Sequence, residues 1–176
     1  MRKHALLLLV VISLADGALA AIANGADAKV ILEARLHGYG MTGFVGEHLY
    51  LRVREDGGIE FGDLRGRNKP DVLRTSKLSP QQLQSLVAFL SSPGVRSLAP
   101  LVPTPAQMID SSEVVTLVIT TGHGQPQKIE IQNYFPPAAK KKSFYPPALS
   151  ELMCRMEEMR EHASIRLVQK DWCKAR

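Results

Sequence analysis

Few residues of this chain combine a chemically capable type with a telling spacing. Of its five histidines, His37, His48, His123 and His162 lie beyond the first twenty residues. No two of them stand in H-E-x-x-H, the helical spacing that aims two imidazoles at one zinc ion. Glu47 and His48 are adjacent, which on a strand sends their side chains to opposite faces. His123 stands between two glycines at what reads as a hairpin tip. His162 stands at a helix end, where a cation suits the dipole. Asp110-Ser111-Ser112-Glu113 is rich in oxygen but lacks the glycine and spacing of an EF-hand loop, and reads as a turn into a strand. These patterns lead us to expect no metal site and no cofactor. A G-x-S-x-G nucleophile elbow is also missing from the sequence. A hydrolytic site would have to be gathered by the fold from scattered residues, with His48, Asp63, Asp110 and His123 as the candidates.

Gly38-Tyr39-Gly40-Met41-Thr42-Gly43 matches G-x-G-x-x-G. A dinucleotide site needs a helix to follow, so that backbone N–H groups and the helix dipole meet the pyrophosphate. Phe44 to Arg54 reads as strand instead, so the glycines are expected to form a loop leading into a hairpin.

The surface pattern with most to offer is Lys140-Lys141-Lys142, flanked by Tyr134, Phe135, Phe144 and Tyr145. Cations beside aromatics can grip an anionic polymer or a partner's acidic patch. The other reading is a solvated loop whose aromatics tuck under the sheet. Lys140, Lys141, Lys142, Phe144 and Tyr145 are the candidate binding residues.

The chain opens with Arg2, Lys3 and His4, continues with the apolar run Ala5–Leu14, and reaches the small-x-small exit Ala18-Leu19-Ala20. That order is the pattern of a secretory signal peptide. The run falls short of the roughly 20 apolar residues that span a bilayer. Residues 1–20 are therefore expected to be a leader and residues 21–176 a single domain of 156 residues (176 minus 20), long enough to bury a core. The leader carries two basic residues and one acidic, so the net charge falls from +5 to +4. That mild excess has no Lys/Arg stripe, which argues against nucleic acid as a partner. Cys154 and Cys173 lie in the exported part, and an oxidising compartment favours one disulfide between them. The alternative is one buried thiol and one exposed one, because pairing requires Cα atoms within about 7 Å.

Lys29–Leu36 reads as a strand, and Leu49, Leu51 and Val53 alternate with Tyr50, Arg52 and Arg54 as a half-buried one. Asp56-Gly57-Gly58 supplies positive-φ residues for a hairpin turn, and Ile59 and Phe61 begin the return. A short strand is expected near Val72–Ser76. Ser79-Pro80-Gln81-Gln82 carries a capping box and an N1 proline, with Leu83, Leu86, Val87 and Leu90 on one helical face and Pro93-Gly94 as the stop. Pro100, Pro103 and Pro105 mark residues 99–112 as loop. Val114–Thr120 and Lys128–Gln132 form a second hairpin. A last helix over Pro147–His162 presents Leu149, Leu152, Met153, Met156 and Met159 to the core, and Ile165–Trp172 could add an edge strand. The fold class expected is α+β: an antiparallel sheet from two β-hairpins, with two helices packed on one face.

Asp56-Gly57, Ser79-Pro80-Gln81-Gln82-Leu83, Val114–Gln132 and Leu149–Met159, in that order, resemble a group of small exported bacterial α+β domains of unknown function. The resemblance spans residues 30–162. It implies the hairpin, S-P-x-Q-L helix, hairpin, helix plan and assigns no activity or site residues. The functional expectation is a non-enzymatic exported binding or accessory module. It would work through a sheet surface, an edge strand or the Lys140–Tyr145 loop, with another envelope or secreted protein as partner and weak binding to anionic polymers. The alternative is the exported hydrolase built from scattered His and Asp residues.

Overall fold

In chain order the elements are β1 (Val30–Gly40), β2 (Gly46–Arg54), β3 (Gly58–Asp63), β4 (Val72–Lys77), α1 (Pro80–Leu90), α2 (Pro93–Arg96), β5 (Leu101–Pro103), β6 (Ser111–Ile119), β7 (Gln127–Gln132) and α3 (Pro147–Met159). They belong to a computed structural model that describes residues 28–40, 46–63, 72–103, 111–122, 124–132, 145–160 and 173. The strands form one seven-stranded sheet in the order β4-β3-β2-β1-β6-β7-β5. The α+β class holds, but the sheet dominates. Both expected hairpins are present, as β2–β3 and β6–β7, and β1 joins them by pairing antiparallel with β2 and with β6. β5 was expected to be loop; it pairs parallel with β7. A three-residue strand among prolines carries no period to read, and Pro103 is tolerated there because an edge strand can do without one N–H.

Local signals decide the turn and the first helix. Gly57 takes φ +84°, and a Cβ there would lie 3.2 Å from the Leu78 carbonyl oxygen, so glycine is required on two counts. Asp56 Oδ1 accepts from the Gly58 N–H at 2.9 Å. Ser79 Oγ accepts from the Gln82 N–H at 3.3 Å while the Ser79 N–H donates to Gln82 Oε1 at 2.8 Å, the reciprocal capping box. α1 buries Leu86 and Leu90, but Val87 is exposed, and Phe89 packs in its place. Pro93-Gly94 opens the one-turn α2; α1 has already ended at Ser91.

β1 and β2 are not paired residue for residue. Ala34 faces Leu51 and Arg35 faces Leu49, which leaves Tyr50 as the extra residue of a β-bulge. The alternation expected for β2 breaks there: Tyr50 and Leu51 are both fully buried, and Leu49 is only half-buried. β1 shows a second register shift between Val30 and Leu32. The buried residues of sheet and helices make one core cluster, in which each fully buried Leu or Ile contributes about 2 kcal/mol.

α3 is buried more widely than one stripe. Leu149, Leu152, Met153 and Met156 are in the core, as expected, together with Ser150, Cys154, Glu157 and the following Arg160. It meets α2 where Gly94 approaches Ala148, and it meets α1 where Arg155 stacks on Phe89 at 4.5 Å. Cys154 and Cys173 are bridged, with Cα atoms 5.6 Å apart. The leader, residues 1–20, and the expected edge strand at 165–172 lie outside the described residues. Among the described residues no helix is long and apolar enough to cross a membrane.

Candidate functional site

The sheet has two edges, and β4 is the longer. β4 pairs in unbroken antiparallel register with β3, from Gly58 opposite Lys77 to Asp63 opposite Val72. The Leu78 N–H donates to the Gly57 carbonyl at 2.9 Å, which fixes the phase of the ladder. Bonded and non-bonded pairs alternate in antiparallel sheets. Ser76, Arg74 and Val72 therefore turn their N–H and C=O groups toward β3, while Lys77, Thr75 and Leu73 turn theirs outward. Among the described residues no strand pairs with that outer edge. Every side chain from Leu73 to Lys77 is exposed, and Leu73 is 58% exposed.

Side chains on the two faces of β4 differ in kind. Arg74 and Ser76 lie across from Phe61 and Ile59, core residues, and so share the face that carries the helices. Leu73 and Thr75 lie on the other. A cleft of about 510 Å³ opens at the Lys77 end, between the sheet, α1 and α3. Ile59, Leu86 and Met159 give it an apolar part; Ser76, Lys77, Gln81 and Glu158 give it a polar rim. Arg155 also lines it, held by Glu151 Oε1 at 3.0 Å and by Ser85 Oγ at 3.4 Å.

The opposite face of β1, β2 and β3 carries a chain of ion pairs. Arg35 bonds Glu33, Arg52 bonds Glu33 at 2.8 Å and Glu60 at 2.9 Å, and Arg54 bonds Glu60 at 3.0 Å. Burial pushes the Glu33 carboxyl up, but hydrogen bonds and charge from Arg35 and Arg52 outweigh it and hold the group below its ordinary range. Burial likewise raises Glu60, and Arg54 and Arg52 outweigh it in the same way. Both glutamates are fixed as anions at neutral pH and are unsuited to donating protons. Glu113 is the reverse case: it faces Gly38 across the ladder, and burial alone pushes its carboxyl up.

Of the residues singled out in the sequence, Lys140, Lys141, Lys142 and Phe144 lie outside the described residues. Tyr145 is 4% exposed and belongs to the core. His48 lies opposite Leu36 on β2, half-buried, and Asp63 ends β3; Asp110 and His123 lie outside the described residues. Among the described residues no group of three or more His, Cys, Asp or Glu is placed to hold a metal ion. The sequence reading missed a buried polar cluster. Tyr50 donates to Glu157 Oε1, and the Arg160 guanidinium lies 3.5 Å from the Tyr50 ring centroid while donating to the Gly62 carbonyl at 3.0 Å. The bulge at Tyr50 makes this cluster, and unbroken strand periodicity hides it. No protein-family model matches the chain, and no curated protein matches it in sequence.

Proposed function

We propose that the protein is an exported, non-enzymatic binding module that takes an extended segment of another envelope or secreted protein onto the outer edge of β4. The supporting observation is the row of outward N–H and C=O groups at Leu73, Thr75 and Lys77 on a strand with exposed side chains. An added strand satisfies such groups with main-chain hydrogen bonds, and flanking pockets read its side chains. The cleft beside Lys77 supplies such a pocket. Export is supported by the order of charge, apolar run and small residues in 1–20 and by the Cys154–Cys173 bridge.

Thr75→Pro tests this reading without breaking the fold's own ladder. The N–H it removes points away from β3, and proline is tolerated on sheet edges. The experiment is a crosslinking pull-down of tagged wild type and Thr75→Pro from the native host, read by mass spectrometry. The reading predicts a partner crosslinked within residues 72–86 by wild type and absent with Thr75→Pro. Equal recovery by both, or crosslinks confined to other surfaces, contradicts it.

A further inference from the structure

We infer that the segment accepted by β4 carries a lysine or arginine across from Ser76, with its stem in the cleft and its charged head at Glu158; this rests on the reading of β4 as a docking edge. Ser76 is the helix-side residue of β4 at the cleft, across from Ile59. It turns its own N–H and C=O toward β3. A residue facing it on an antiparallel added strand therefore stands in a non-bonded pair, where side chains approach most closely. Neighbouring strands lie about 5 Å apart, which puts the added strand about 10 Å from Ile59. Only a long side chain crosses the short serine to reach that floor. Beyond the serine, Ile59, Leu86 and Met159 form an apolar bed for a methylene stem.

Charge selects the head. α3 turns Arg155, Glu158 and Met159 toward the cleft, on one helical face. Arg155 is bonded to Glu151, one turn toward the N-terminus, and to Ser85, and it stacks on Phe89; these contacts draw it to the α1 side. Among the described residues no cation stands within ion-pair distance of Glu158. Lys77 borders the cleft, but the β3–β4 register sends its side chain to the other face, with Leu73 and Thr75. Arg74 shares the helix side of β4 with Ser76 but does not line the cleft. One base against two acids leaves the cleft negative, and a cationic head complements it. A second copy of this chain, paired antiparallel about Thr75, would bring its Arg74 to Ser76. Arg74 is already engaged within its own chain and would have to give that contact up, so a segment of another protein is the occupant.

The test uses three synthetic peptides with blocked ends: Thr-Val-Thr-Lys-Thr-Val-Thr, the same peptide with Met for Lys, and the same with Glu for Lys. Met keeps the length and the apolar stem and removes only the charge. Binding to the full exported chain is followed by calorimetry in low and in high salt. The Lys peptide is expected to bind about threefold tighter than the Met peptide, from one partly exposed ion pair, and to lose that advantage in high salt. The Glu peptide is expected to bind weakest. Glu158→Gln should bring the Lys and Met peptides to equal affinity, Glu158→Lys should reverse their order, and Thr75→Pro should weaken all binding. Equal affinity for the Lys and Met peptides in wild type, both sensitive to Thr75→Pro, would overturn the basic preference and leave the docking edge standing. A Lys preference that survives Glu158→Gln would overturn the placement of the head at Glu158. No binding by any peptide, or binding indifferent to Thr75→Pro, would overturn both the preference and the docking edge. Self-association in sedimentation that Thr75→Pro abolishes would assign the edge to a second copy and overturn the peptide proposal.

Discussion

Tyr50 on β2 donates its phenolic hydrogen to Glu157 on α3, and the two residues are 107 positions apart in the chain. The bond is buried and ties the C-terminal helix to the bulge in the sheet. Arg160 covers the same Tyr50 ring and reaches the Gly62 carbonyl of β3. The cluster thus locks α3 to the two strands that carry β4 on their far side. Tyr50→Phe keeps the ring beneath Arg160 and removes only the hydroxyl, leaving a buried carboxylate short of a donor. Chemical denaturation should show a loss of about 1–3 kcal/mol. An unchanged midpoint would mean that the bond contributes nothing.

The Cys154–Cys173 bridge closes a loop with a sequence separation of 19. Loop closure on that scale restricts the unfolded chain and is worth about 3 kcal/mol. Cys173→Ser is expected to lower stability by that amount, and reduced wild type should unfold at nearly the same denaturant concentration as the variant. Cys154 is buried in α3, so replacing Cys173 avoids opening a cavity.

Glu113 gives a pH prediction of definite sign. Burial raises its carboxyl above the ordinary range. The folded state therefore favours the protonated form, and stability is lost as pH rises through the raised value. Glu113→Gln removes that loss. The variant should be more stable than wild type at pH 7, and the difference should vanish below about pH 4, where glutamates are protonated in both states. A variant less stable than wild type at pH 7 would show instead that the Glu113 carboxylate has a stabilising partner.

Features fixed by neighbouring residues were readable in the sequence. Asp56-Gly57 and Ser79–Gln82 act within a few positions, and both form as their residue types dictate. The bulge was hidden because Leu49, Tyr50 and Leu51 are all apolar, so no break in alternation marks the extra residue. Glu157 and Arg160 look like solvent-facing helix positions and are buried only because Tyr50 and Gly62 receive them. β5 is too short to carry a period. β4 was expected as a strand, but its place at the edge depends on the sheet order, and the order depends on β1 pairing with a strand from the other half of the chain. That long-range pairing leaves no local trace.

The docking edge is tested most directly by residue-resolved amide hydrogen exchange across β4, in the protein alone and with a peptide copying the partner segment that crosslinks to residues 72–86, at saturation. In the protein alone, Leu73, Thr75 and Lys77 should exchange as open amides while Arg74 and Ser76, bonded to β3, are protected. With peptide bound, the three outward amides should become protected. Protection of Leu73, Thr75 and Lys77 in the protein alone, or no change when peptide is bound, would contradict the account.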